Sequence, residues 1–150
     1  MFSRKKAEQQ AAVAQLGDVA FFEGFTPEEL ARVADLADEV EAEAGAELMD
    51  QGRPGLECYV ILDGTAGVYF GGEHIASLEA GSMVGEMALI DHRPRSATVV
   101  AESPMRLLAF DTRHFRALLD ELPKASQRVM SLLNARLQEN ADRQSGAASD

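Results

Sequence analysis

Gly81-Ser82-Met83-Val84-Gly85-Glu86-Met87-Ala88-Leu89-Ile90-Asp91-His92-Arg93-Pro94-Arg95-Ser96-Ala97-Thr98-Val99 is the segment on which the reading of this chain turns. Gly85 permits close approach of backbone to a ligand, and Glu86 to Leu89 can make one helical turn. The free N–H groups at the start of such a turn point the same way and form a ready anion site. Arg95 follows a loop closed by Pro94 and leads into an apolar strand. Its guanidinium is therefore anchored and can fork onto two oxygens, as a phosphate requires. Glu86 is an acceptor beside the cradle, unsuited to a phosphate but suited to a hydroxyl donor such as a ribose. One Glu and one Arg around one turn suggest a nucleotide.

Around this segment, from Asp38 to Asp111, apolar residues recur with a twofold period in short runs: Val40 to Ala42, Glu47 to Met49, Tyr59 to Leu62, Gly67 to Phe70, His74 to Leu78, Ala97 to Ala101 and Met105 to Phe110. Gly45, Gly52, Gly55, Gly64, Gly71-Gly72 and Gly81 punctuate the runs. The pattern predicts a mainly β fold with flanking α, about eight short strands in a sandwich or barrel-like roll. Upstream, Thr26-Pro27-Glu28-Glu29-Leu30 announces a helix with a capping box, Thr26 capping and Glu29 reaching back. The aromatics of Phe21-Phe22-Glu23-Gly24-Phe25 tie its entry to a core. Met1 to Val19, with Arg4-Lys5-Lys6 ahead of Ala12, Val13 and Leu16, is expected to be a short, weakly amphipathic helix. Downstream, Phe115, Leu118 and Leu119 mark a short helix. Pro123 resets the chain, and Val129, Leu132, Leu133 and Leu137 mark a longer one to about Asp142, before a frayed tail. The expected partition is a helical extension over 1–18, one domain over 19–142 and a disordered tail over 143–150.

The chain has 150 residues, 46% of them apolar, enough for one ordinary core. Its 14 bases against 25 acids give a net charge of -11, which repels polyanions, so neither DNA nor an anionic membrane is an expected main partner. The charge is uneven: residues 23–57 hold eleven acids and two bases, residues 93–143 six acids and nine bases, so an anion would settle in the later half. No run approaches the ~20 apolar residues of a membrane span. Cys58, the single cysteine, lies in an apolar run and fits a reducing cytoplasm.

Gly85-Glu86-Met87-Ala88-Leu89, a four-residue loop, then Pro94-Arg95-Ser96-Ala97-Thr98-Val99 resembles the phosphate-binding cassette of the cyclic nucleotide-binding domain family. Phe21 to Leu30, Gln51-Gly52, Tyr59 to Gly64 and Phe115 to Leu119 fall where that family places its helical lead-in, glycine turns and closing helix, so the resemblance covers roughly residues 19 to 140. It implies an eight-stranded, jelly-roll-like β-roll with N-terminal helices and two C-terminal lid helices. Arg95 would pair with the cyclic phosphate, Ser96 and Ala97 would follow it in the cassette, and the backbone of Gly85, Glu86, Met87 and Ala88 would complete the cradle. Glu86 would accept from the ribose 2'-hydroxyl. Arg136 and Asn140, four apart on one helix face, would approach the base or Glu86 from above. Val84 stands where the family often has Phe. Ser96, where guanine-selective members tend to have Thr, favours cyclic AMP over cyclic GMP.

Other chemistries are weaker. Asp91, His92 and Asp111 lack a second His at ligand spacing, so no metal is expected. Ser96 and His92 lack an orienting acid, so hydrolysis is not expected either, and the chain is expected not to be an enzyme and to need no cofactor. The expectation is a stand-alone cytoplasmic sensor of a cyclic nucleotide that relays binding through its terminal helices to an unknown protein partner. A homodimer through the last helix is an open possibility. A ligand-independent scaffold on the same roll, with Arg95 and Glu86 as a structural ion pair, is the alternative. A DNA-binding regulator would need a helix-turn-helix beyond the long helix, and only about ten residues follow it.

Overall fold

The computed structural model describes the backbone of residues 2–6, 9–86, 89 and 94–149, and side chains of 12–86, 89, 94–135 and 138. The strands are β1 (Phe2–Lys6), β2 (Asp38–Ala42), β3 (Glu47–Met49), β4 (Glu57–Asp63), β5 (Ala66–Phe70), β6 (Glu73–Leu78), β7 (Met83–Val84), β8 (Thr98–Ala101) and β9 (Met105–Asp111). The helices are α1 (Gln9–Leu16), α2 (Pro27–Asp35), α3 (Thr112–Glu121) and α4 (Pro123–Ser149), with a 3-10 turn at Ala20–Phe22. One antiparallel sheet has the order β1-β2-β9-β4-β7, the other β3-β8-β5-β6. The eight strands β2 to β9 form the β-roll, and β1 is added on its edge.

The runs in β4 and β9 are continuously apolar because that sheet is buried on both faces. Along β9, Leu107 and Ala109 point into the roll with Val40, Ile61 and Val99, whereas Leu108 and Phe110 point outward to the helices. In β4, Tyr59 and Ile61 face the roll while Cys58, Val60 and Leu62 face the helices. The helical side of the core gathers Leu16, Phe22, Val33, Phe115 and Leu118. Phe22 stacks edge-on between Phe21 and Phe25, with ring centroids 5.2 and 5.3 Å away, which accounts for the aromatic entry to α2. Burying one such ring contributes about 2–3 kcal/mol.

The capping box of α2 is formed: the Thr26 N–H donates to Glu29 Oε1 at 2.8 Å, and the Glu29 N–H donates to Thr26 Oγ1 at 3.2 Å. Asp111 caps α3 by accepting from the His114 N–H at 2.7 Å. Side chains then fasten the lead-in to the last two helices. Arg32 forks onto Glu121 at 2.5 and 2.8 Å, and Lys124 Nζ donates to Glu29 at 2.7 Å and to the Gly24 carbonyl at 2.8 Å. Arg128 donates to the Glu23 carbonyl.

Three sequence expectations differ. Residues 2–6 are a strand rather than the start of a helix, because their bases fall opposite an acidic strand: Lys6 pairs with Asp38 and Lys5 with Glu39 across the ladder. Helix α4 runs on to Ser149, beyond the expected end near Asp142, helped by Ala147 and Ala148, with Gly146 as its one poor helix former in that stretch. The two-residue strand β7 gives no periodic signal of its own and is defined by its pairing with Tyr59 and Val60.

Candidate functional site

Strand β7 delivers the chain to Gly85, whose φ of +85° lies in the left-handed region that glycine adopts without strain. A Cβ at this position would collide with the Arg95 guanidinium and stand 3.2 Å from the Met49 sulfur. Gly85 is thus needed for its conformation and for the space it leaves. Glu86 follows, half-buried, and Leu89 is buried in the helix-side core with Leu118, Leu122, Ala125 and Val129.

Arg95 is held at both ends. Its backbone N–H donates to the Arg53 carbonyl at 2.8 Å, and its carbonyl accepts from the Gly52 N–H at 2.9 Å. The turn at 50–53 is itself fixed: the Gln51 N–H donates to Thr98 Oγ1 at 3.0 Å, and Gln51 Oε1 accepts from the Gly71 N–H at 3.0 Å. The guanidinium donates from Nη1 to the Gly85 carbonyl at 2.9 Å and from Nη2 to the Glu57 carbonyl at the head of β4. With 6% of its surface exposed, Arg95 is a buried cation whose described hydrogen-bond partners are neutral carbonyls, and these use two of its five N–H donors.

Burial therefore disfavours both charges of the site. It pulls the Arg95 pKa down, opposed by nearby Tyr59, Cys58, Glu57 and Glu86, though a guanidinium keeps its proton. It pushes the Glu86 carboxyl up, opposed by a backbone N–H and by the Arg95 charge. Arg95 and Glu86 feel each other's charge, yet among the described residues no ion pair joins them. Cys58, fully buried beneath them, has its thiol pKa raised by the same desolvation. Glu86 also lines a cavity of about 590 Å³ between the cassette, the turn at Val19 to Phe21 and the long helix, where Arg128, Ser131 and Leu132 face it.

Of the residues singled out from sequence, Gly85, Glu86 and Arg95 are brought together. Ser96 is exposed at the end of the loop and Ala97 is buried behind it. Met87 and Ala88 lie outside the described residues, as does His92. Arg136 and Asn140 are on α4, and their side chains lie outside the described ones. Sequence reasoning missed the Glu57 carbonyl, the Met49 sulfur and the Gly52-Arg53 clamp. A carbonyl contact carries no side-chain signature, and only Gly52 stood out, as a turn residue.

The description "cyclic nucleotide-binding domain" fits the chain over residues 39–121, more than half its length. The chain belongs to the cyclic nucleotide-binding domain family. It is 31% identical over 119 residues to the cAMP-dependent protein kinase type II regulatory subunit of Drosophila melanogaster, a match covering 79% of the chain and 32% of that protein. The chain thus spans about a third of that curated relative. The catabolite activator protein of Thermus thermophilus superposes with a TM-score of 0.75 at 30% identity, covering 86% of this chain and 62% of that one. A cyclic nucleotide-binding domain from Methylobacillus flagellatus superposes with a TM-score of 0.74 at 26% identity, over 95% of this chain and 86% of that one. The β-roll with flanking helices is therefore the family fold. No described helix is long and apolar enough to cross a membrane.

Proposed function

We propose that this chain is a stand-alone, non-catalytic sensor that binds cyclic AMP, with cyclic GMP as the weaker ligand, and passes binding to a protein partner through its terminal helices. The observation that carries the reading is the buried Arg95 guanidinium, fixed by two backbone carbonyls with its charge facing no described carboxylate in an ion pair. An entering phosphate supplies that missing anion, and charge-assisted forked bonds to it are worth more than the neutral ones they join. Gly85, Glu86, Met87 and Ala88 frame the phosphate through their backbone, and Ser96 and Ala97 lie beside it. Glu86 accepts from the ribose hydroxyl and is better hydrogen-bonded with ligand than without. The adenine preference is supported by Ser96 after Arg95 and by likeness to a regulatory subunit of a cAMP-dependent kinase.

Relay is supported by Leu89, three residues after Glu86 and in the same core as Leu122, Ala125 and Val129. A shift of Leu89 on ligand binding would be felt by the last two helices, because packed cores respond as alternative arrangements rather than by smooth deformation. In this reading Arg136 and Asn140 approach the base or Glu86 as α4 closes. Residues 19–142 form the ligand-binding unit in this reading, in the cytoplasm, and α4 carries the signal to the partner.

Calorimetric titration of the full chain with cyclic AMP and cyclic GMP, with Arg95→Ala in parallel, tests the reading. Micromolar or tighter binding, stronger for cyclic AMP and abolished by the substitution, is expected. Absence of heat from either nucleotide with the folded chain would replace the sensor with a ligand-independent scaffold.

A further inference from the structure

Glu57, at the head of β4, acts through its backbone and its side chain in two directions. Its carbonyl accepts from Nη2 of Arg95, while its carboxylate Oε1 accepts from the Tyr59 hydroxyl at 3.2 Å. Residues two apart on a strand share a face of the sheet, which is what lets Tyr59 reach it. Glu57 therefore meets the guanidinium with a dipole and has its carboxylate engaged by a neighbour.

Tyr59 is fixed firmly enough to hold that arrangement. It is buried in the roll with Met49, Ile61 and Val84, and its backbone is in register with Ala109 of β9 on one side and Val84 of β7 on the other. Val84 immediately precedes Gly85, whose carbonyl is the second acceptor of the guanidinium, at 2.9 Å. Tyr59 is thus joined to both described acceptors of the Arg95 guanidinium, to one by its hydroxyl and to the other through the β4–β7 ladder. A phenylalanine would fill the same apolar space, so the hydroxyl is the part that calls for a partner, and the partner is Glu57.

The carboxylate that Tyr59 holds is a rival to an entering phosphate. It belongs to the residue whose own carbonyl touches the guanidinium, and its charge already acts on Arg95. A charge-assisted bond from a guanidinium to a carboxylate is about twice as strong as one between neutral groups. An Arg95 paired in that way would offer an anion fewer donors and would meet it with a carboxylate alongside. We propose that Tyr59 is a positioning residue for Arg95: its hydroxyl keeps the Glu57 carboxylate off the guanidinium, so that Glu57 lends the site its carbonyl alone. The consequence for affinity rests on the cyclic nucleotide reading of the site, whereas the arrangement of the three side chains does not.

The test uses the full chain, with cyclic AMP titrated by calorimetry and the Arg95 Nε–Hε resonance of the nucleotide-free chain followed by NMR. Tyr59→Phe keeps the ring and removes the tether. It should weaken cyclic AMP binding by roughly fivefold, a hydrogen bond's worth, and shift the Arg95 resonance of the free chain. Adding Glu57→Gln to Tyr59→Phe should recover most of the lost affinity and return the resonance, because the released side chain then carries no charge. A hydroxyl that served packing alone would give a loss that Glu57→Gln cannot repair, and urea unfolding of both variants follows their stability. Affinity and resonance unchanged in Tyr59→Phe, or a double variant that binds as weakly as Tyr59→Phe, would overturn the proposal. Absence of binding by the unaltered chain would overturn the nucleotide reading instead, and the resonances of the two variants would still decide whether the hydroxyl holds the carboxylate away from Arg95.

Discussion

Arg95 and Arg106 are two arginines on neighbouring parts of one roll, and they are satisfied in opposite ways. Arg106, on β9, donates to the buried Glu39 carboxylate at 2.6 Å, and that bond raises its pKa. Its charge is answered within the fold. Arg95 is the more buried of the two, donates to the carbonyls of Gly85 and Glu57, and has its pKa lowered by desolvation. A carbonyl dipole orients a guanidinium but does not neutralise it, so among the described residues Arg95 has no carboxylate in an ion pair, in a place where burying a charge costs free energy. In the proposed reading, an entering phosphate removes that cost. The nature of the acceptor, a carboxylate for one and carbonyls for the other, separates them.

The largest effects expected from this contrast come from exchanging the roles. Arg95→Ala should weaken cyclic nucleotide binding by about 2 to 5 kcal/mol, the range for removing one partner of a buried charged pair. Arg106→Ala should leave affinity unchanged but cost about 1–3 kcal/mol of folding stability, because Glu39 remains buried without its guanidinium. Calorimetry and urea unfolding of the two variants decide it. Equal loss of affinity in both would erase the distinction. A smaller effect is expected one layer out, at Gly85→Ala, where the left-handed backbone and the collision with Arg95 act together. Gly24→Ala is the control, with a φ of +84° but nothing within 4 Å of the added Cβ. Backbone strain of about 1–3 kcal/mol is common to both. Only the Gly85 variant should also lose nucleotide affinity, by roughly tenfold, a displaced hydrogen bond's worth.

The same contrast explains what was legible in the sequence. Alternation in β2 and β8 and the glycine turns announced the roll, and the run Tyr59 to Leu62 announced a strand buried on two faces, since each of these is a local pattern with a local cause. The Thr26–Glu29 box was legible because both partners lie within one turn. The Gly85, Glu86 and Arg95 site was legible because glycine, acid and base carry their chemistry in their types. The strand at residues 2–6 was not, because what makes it a strand is β2, over thirty residues away. Nor was the role of Glu57, which enters through its carbonyl, or the turn at 50–53 that positions Arg95 from another strand pair. Side chains that act through type are visible in one dimension; contacts made by backbone wait for the fold.

Glu86 provides the finest test, because it differs from Glu39 as Arg95 differs from Arg106. Glu39 is buried against a guanidinium, whereas Glu86 is half-buried with its pKa raised, desolvation outweighing a backbone N–H and the Arg95 charge. A carboxyl whose folded pKa lies above its ordinary 4.5 binds its proton more tightly in the folded state. Its contribution is therefore most favourable at or below pH 4.5 and is lost as pH rises through the raised folded value. Glu86→Gln cannot titrate, so the nucleotide-free variant should match the unaltered chain near pH 4.5 and become the more stable of the two above it, by urea midpoints taken from pH 4 to pH 8. Nucleotide reverses the sign. A ribose hydroxyl donates only to an acceptor, favours the ionised carboxylate and lowers its pKa, so binding at mildly acidic pH should release protons from the unaltered chain that the Gln variant does not release. Calorimetry in two buffers of different ionisation enthalpy measures that release directly. Equal proton release from both would place the ribose hydroxyl on some other acceptor and leave Glu86 as a merely half-buried acid.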